Sequence, residues 1–127
     1  MVTGIEHTAI ASQDPARLAN WYVEHLGFVI NYRYPNSRIH FVRAPDGSML
    51  EIIEAHAPSP GVSAMSEPGL RHLAIAVSDF GPVYERLKSS GVHFLTEPAT
   101  TNGNTLVFFT DCDGNILHLL KRQTPLP

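Results

Sequence analysis

Apolar and polar positions alternate along several short stretches of the chain and switch to helical spacing between them. The first alternating stretch, I-E-H-T-A-I-A at 5–11, predicts a strand. Behind it Leu18, Trp21, Tyr22 and Leu26 recur as one apolar helical face. Asp14 stands where an N-cap belongs, Pro15 takes the first helical position, and Gly27 marks a left-handed stop. Three more strands are expected at about 28–34, 38–44 and 49–55. The order then recurs, with a strand at 70–78, a helix opened by Asp79, a stop at Gly91, and strands at 92–96, 104–110 and 116–121. The second helix carries a sparser stripe of Val83, Tyr84 and Leu87. D-G pairs at 46–47 and 113–114 supply positive-φ turn residues before the last strand of each set.

The recurrence extends to residue identity. A shift of 65 carries His7, Ala9, Ile10, Ala11 and Asp14 onto His72, Ala74, Ile75, Ala76 and Asp79. A shift of 67 carries Asp46, Gly47 and Glu51 onto Asp113, Gly114 and His118. The 127 residues therefore read as one domain of class α+β, built from two βαβββ modules at about 4–55 and 69–122. A linker at 56–68, rich in proline and small residues, joins them.

Composition narrows the setting. A net charge of -3 gives no electrostatic reason to expect nucleic acid or an anionic membrane surface. No apolar run approaches the roughly 20 residues that span a bilayer, and the N-terminus does not read as a signal peptide. The single cysteine, Cys112, agrees with a reducing cytoplasm. A cytoplasmic protein with a small-molecule partner is the expectation.

Strand parity then singles out four side chains. On the strand at 70–78, Leu73, Ile75 and Val77 point one way, and His72, Ala74 and Ala76 the other. The first strand repeats this with His7 and Ala9 opposed to Thr8 and Ile10. Glu51 opposes Leu50 and Ile52, and His118 opposes Leu117 and Leu119. A lone histidine in an apolar strand is usually a core residue with one satisfied hydrogen bond. Three imidazoles and a carboxylate at repeat-equivalent positions, beside alanines that leave space, read instead as the floor of a cavity. Burying them is costly without compensation. A divalent metal compensates directly, since neutral His and ionised Glu are ordinary ligands. His7, Glu51, His72 and His118 are the candidate ligands.

The stretches at 5–28 (I-E-H-T-A-I-A-S-Q-D-P onward), 69–79 (G-L-R-H-L-A-I-A-V-S-D) and 111–120 (D-C-D-G-N-I-L-H-L-L) resemble the vicinal oxygen chelate superfamily. That superfamily includes glyoxalase I, methylmalonyl-CoA epimerase, extradiol dioxygenases, fosfomycin-modifying thiol transferases and metal-free bleomycin-binding proteins. The resemblance implies two modules forming a half-open eight-stranded barrel around a metal site, often in a homodimer and sometimes with modules exchanged between subunits. In members with a four-residue site, the metal positions match His7, Glu51, His72 and position 118. The chain departs from the pattern twice. Cys112 replaces a usual proline and reads as a surface substitution, and His118 replaces the glutamate of glyoxalase I, the epimerase and the thiol transferases.

The second departure bears on chemistry. Glu51 becomes the only carboxylate of the set and hence the only candidate base. A divalent ion held with one carboxylate keeps a net positive charge, which favours an anionic or enolate-like ligand. The implied activity is a glyoxalase-like lyase or isomerase that needs Zn, Ni, Co, Fe or Mn and moves a proton next to a carbonyl. One alternative is a binding protein without turnover. Another is an iron-dependent extradiol-type dioxygenase, which ranks lower because a fourth ligand removes one of the open positions that chemistry uses. Arg33, Arg38, His40, Asn102 and Asn104 are read as solvent-facing or edge residues, although each lies where it could border a pocket. His25, His56 and His93 are assigned to the surface, Trp21 and Tyr22 to helix packing, and Glu6, Glu54, Arg71 and Lys121 to solvated strand ends.

Overall fold

Strand β1 (His7–Ser12) runs into helix α1 (Pro15–Leu26), followed by β2 (Val29–Arg33), β3 (His40–Arg43) and β4 (Met49–Glu54). A computed structural model describes residues 1–58 and 65–127 and divides the chain into two compact units, Met1–Pro60 and Gly61–Pro127. In the first unit the sheet order is β1-β4-β3-β2. β1 lies parallel to β4, and the remaining pairs are antiparallel. Asp14 caps α1, its carboxylate accepting from the Arg17 N–H at 3.1 Å. The helix packs Leu18, Ala19 and Tyr22 against β3 and β4, where Val42, Leu50 and Ile52 form the other side of the core. The opposite face of the sheet carries His7, Phe41 and Glu51.

The second unit repeats this arrangement with β5 (Leu73–Ala76), α2 (Phe80–Ser89), β6 (His93–Phe94), β7 (Ala99–Thr101), β8 (Asn104–Thr110) and β9 (Ile116–Lys121). Its order is β5-β9-β8-β6, with β7 also paired to β8. Leu87, Val107, Phe109, Leu117 and Leu119 are fully buried and make the core. The parity expected for the two last strands holds, since Leu50, Ile52, Leu117 and Leu119 are buried while their neighbours on the other face are half-buried. Both D-G turns close alike. Ala44 and Asp111 each donate to a carbonyl four residues on, at 2.8 and 3.1 Å, and Gly47 (φ 93) and Gly114 (φ 87) take the positive-φ corner.

The architecture is α+β with two mixed sheets, and neither sheet closes on itself. Three details differ from expectation. The described residues hold nine strands, because the edge expected at 92–96 is continued by β7 beyond a break at Pro98. Across that break the Thr96 hydroxyl accepts from the Phe108 N–H at 3.0 Å, replacing a backbone partner. Asn102 (φ 52) and Gly103 (φ 78) then turn β7 into β8, the positive-φ pair of a two-residue hairpin. Asp79 precedes α2 but makes no side-chain cap. His40, expected at an edge or in solvent, is 8% exposed on the face shared with Val42. Its Nδ1–H donates to the Arg38 carbonyl at 2.8 Å, which satisfies the buried ring. Of the expected linker at 56–68, residues 59–64 lie outside the described residues, and the rest holds no helix or strand. No helix among the described residues is long and apolar enough to cross a membrane.

Candidate functional site

In the first unit the parallel register sets Ala9 beside Glu51 and His7 beside Met49. The His7 ring therefore approaches the carboxylate from two residues along the strand, past a side chain too small to intervene. His7 Nε2 lies 3.0 Å from Glu51 Oε2, and His7 Nδ1 is hydrogen-bonded to the Glu6 carboxylate. Phe41 flanks Glu51 from β3, with its ring edge-on to His7 at 5.5 Å between centroids. The hydrogen bond to Glu6 raises the His7 pKa above the usual histidine value; partial desolvation opposes it, and the charges of Glu6 and Glu51 reinforce it. The row continues outward, since Tyr32 pairs with Phe41.

The second unit carries the same frame with different chemistry. Ala74 lies beside His118, and Phe108 flanks it from β8. The His72 and His118 rings are 4.5 Å apart, with Phe108 at 5.6 Å from the first and 5.1 Å from the second. Both nitrogens of His118 are buried and have no hydrogen-bond partner among the described residues. An unpaired buried polar group costs about 1–3 kcal/mol, so this ring lacks its natural complement. Burial pushes the His118 pKa down, and the nearby His72 and Arg122 push it further the same way. Both effects favour the neutral ring, the form that binds a metal.

The four expected ligands thus fall into two pairs, His7 with Glu51 and His72 with His118, one pair in each unit. Among the described residues no group of three or more His, Cys, Asp and Glu side chains forms a ready metal cage. Sequence reasoning passed over Phe41 and Phe108, although the shift of 67 that relates Glu51 to His118 also relates them. It assigned Glu6 to solvent, where the structure joins it to His7. Other candidates take structural roles. Arg38 pairs with Glu54 at 2.6 Å, and the Asn104 carboxamide oxygen accepts from the Gln123 N–H at 3.3 Å. Cys112 is half-buried in the closing turn beside Asp111, whose buried carboxylate accepts from the Asp113 and Asn115 N–H groups at 3.0 Å each.

A sequence model described as the Glyoxalase/Bleomycin resistance protein/Dioxygenase superfamily matches residues 4–119. The chain belongs to this superfamily. Two similar proteins of comparable length are the uncharacterized proteins YurT and YetH of Bacillus subtilis (strain 168). YurT is 29% identical, covering 91% of this chain and 96% of its own. YetH is 31% identical, covering 95% and 99%. Among solved structures, a glyoxylase/bleomycin resistance protein/dioxygenase domain from Frankia sp. EAN1pec superposes with a TM-score of 0.79 at 21% identity, over 99% of this chain and 96% of that one. TnmS3, an antibiotic binding protein from Streptomyces sp. CB03234, superposes at 0.76 with 21% identity, over 96% and 98%. The oxidase ChaP-H2 does so at 0.74 with 22% identity, over 96% and 95%. At these identities the likeness establishes the superfamily fold, which serves binding as well as catalysis in those proteins.

Proposed function

We propose that this superfamily member is a divalent-metal-dependent lyase or isomerase of the glyoxalase type. His7, Glu51, His72 and His118 would hold one ion, and Glu51 would carry the proton between carbon and oxygen of a small carbonyl substrate. The observation that carries this reading is His118, whose two buried nitrogens have no partner among the described residues while its ring lies 4.5 Å from His72. Two imidazoles in that position gain from a shared cation. His7 and Glu51 supply the complementary donors, an imidazole nitrogen and a carboxylate oxygen.

An ion bound by these side chains supplies Lewis-acid polarisation of the substrate oxygens. The protein's own residues supply the rest. Glu51, the only carboxylate of the four, accepts the proton. Glu6 holds His7 through Nδ1, which aims Nε2 at Glu51 and fixes the tautomer. Phe41 and Phe108 set an apolar ring edge beside each pair. The lone Cys112 is consistent with a cytoplasmic location, and a homodimer is the assembly that the superfamily resemblance suggests.

Metal analysis of protein purified without a histidine tag tests the reading, after exposure to Zn, Ni, Co, Fe and Mn in turn. About one ion per chain is expected in the wild type, with His72→Ala and His118→Ala each losing it. Substoichiometric metal in the wild type for all five ions would remove the mechanism. A second reading, binding without turnover, is favoured by the histidine at position 118 in place of a second carboxylate. It predicts that Glu51→Gln keeps its ligand affinity and that the wild type turns over none of the carbonyl compounds it binds.

A further inference from the structure

The first unit extends the Phe41 edge into an aromatic surface, Tyr32 and Tyr34, that the proposed chemistry does not use. Tyr32 and Tyr34 are 50% and 46% exposed, far more than packing residues of a sheet. Their rings meet at 5.1 Å, nearly perpendicular. Phe41 lies 6.3 Å from Tyr32 and 6.1 Å from Tyr34, and its other side faces His7 at 5.5 Å. Strand pairing fixes the order of this path. Glu51 pairs with Phe41, and Phe41 pairs with Tyr32, so acid, ring and ring stand in one row across three strands. Neighbouring strands are about 4.8 Å apart, so the row runs roughly 10 Å from the Glu51 backbone to that of Tyr32.

We infer that Tyr32, Tyr34 and Phe41 form the specificity wall of the substrate site, and that the substrate carries an aromatic ring about two or three carbons from its oxygens. The inference rests on the reading of His7 and Glu51 as the polar end of that site. Its physical basis is the join between two unlike surfaces. A second protein chain laid over this row would have to desolvate the His7–Glu51 pair at one end, a penalty that only well-placed partners repay. A small molecule with oxygens at one end and a ring at the other meets both halves. Edge-to-face contacts with the tyrosines reward the ring geometrically as well as by burial. Half-exposed tyrosine suits such a rim, where a filled core would hold leucine or phenylalanine.

Phenylpyruvate and pyruvate make the test, since they share adjacent oxygens and differ by the ring. Calorimetric titration of the metal-loaded full chain should show phenylpyruvate binding at least about tenfold more tightly, the scale of a stacked aromatic contact. In the Tyr32→Ala, Tyr34→Ala double variant the preference should fall below about twofold, while the corresponding Phe substitutions should retain it. Equal affinities in the wild type, no binding of phenylpyruvate, or a preference that survives the double variant would each overturn the inference. A changed oligomeric state in the double variant with the ring preference intact would assign the tyrosines to a subunit contact, and overturn it too. Repeating the titration on chelator-stripped protein separates the two proposals. A ring preference in a chain that takes up no metal sinks the proposed function alone, whereas one ion per chain without ring preference sinks the aromatic wall alone.

Discussion

At the scale of single residues, the two histidines best placed for chemistry are tuned in opposite directions. His118 is desolvated and faces His72, so its folded-state pKa lies below the ordinary 6.5. His7 is held by Glu6 and Glu51, so its pKa lies above 6.5. In metal-free protein the His118 ring protons should titrate below that value by NMR and those of His7 above it. Glu6→Gln should bring the His7 midpoint down and leave His118 where it was. The two contributions to stability have opposite signs. His7 stabilises fully below pH 6.5 and loses its contribution as pH rises through its folded midpoint. His118 opposes the folded state once pH falls below 6.5, because the unfolded chain then binds a proton that the buried ring resists. A single shared midpoint for both rings would show that the environments described for them are wrong. The chemistry of His118 was legible from strand parity, whereas its orphaned nitrogens were not, since they depend on what packs above the ring.

At the scale of elements, the two modules share a plan but not every device. Asp14 bonds the Arg17 N–H, whereas Asp79, its repeat equivalent, caps nothing with its side chain. Asp14→Ala should therefore cost about 1 kcal/mol in urea denaturation, and Asp79→Ala should stay within about 0.5 kcal/mol of the wild type. Equal losses would mean that both carboxylates cap in solution. Position in the repeat predicted a helix start in both cases, but a cap needs the side chain to turn back on the first turn. The edge of the second sheet shows a similar gap. The N-G pair at 102–103 is the strongest short hairpin signal in that region. It was legible there, but the strand it follows is only three residues of A-T-T, too short to show alternation. His40 was misplaced for a different reason. On β3 the register that pairs Phe41 with Glu51 sends His40 to the helix side, and register is a property of the sheet.

At the scale of the whole molecule, the four-ligand proposal counts two side chains from each unit, so it is tested by variants in both. Removing metal should lower the melting temperature, and restoring it to about a hundredfold over its Kd should return about 2.7 kcal/mol. His7→Ala in the first unit and His118→Ala in the second should each abolish that increment in thermal unfolding. If one variant kept it in full, the ion would belong to the other pair alone, and the four-ligand proposal would fail.

Much of this protein was determined by sequence alone: the duplication, the strand–helix–strands order of each unit, the helix stops, the D-G turns and the face of each last strand on which Glu51 and His118 lie. These follow from local rules, in which a strand has period two, a helix has period near 3.6 and a turn demands a residue that tolerates positive φ. Tertiary structure decided which side chains meet. It brought His7 to Glu51 and His72 to His118, set Phe41 and Phe108 as their neighbours, buried His40, and left Tyr32 and Tyr34 open at the end of the row. Those outcomes depend on strand register and on which face each helix covers, and both are settled by packing across the sheet.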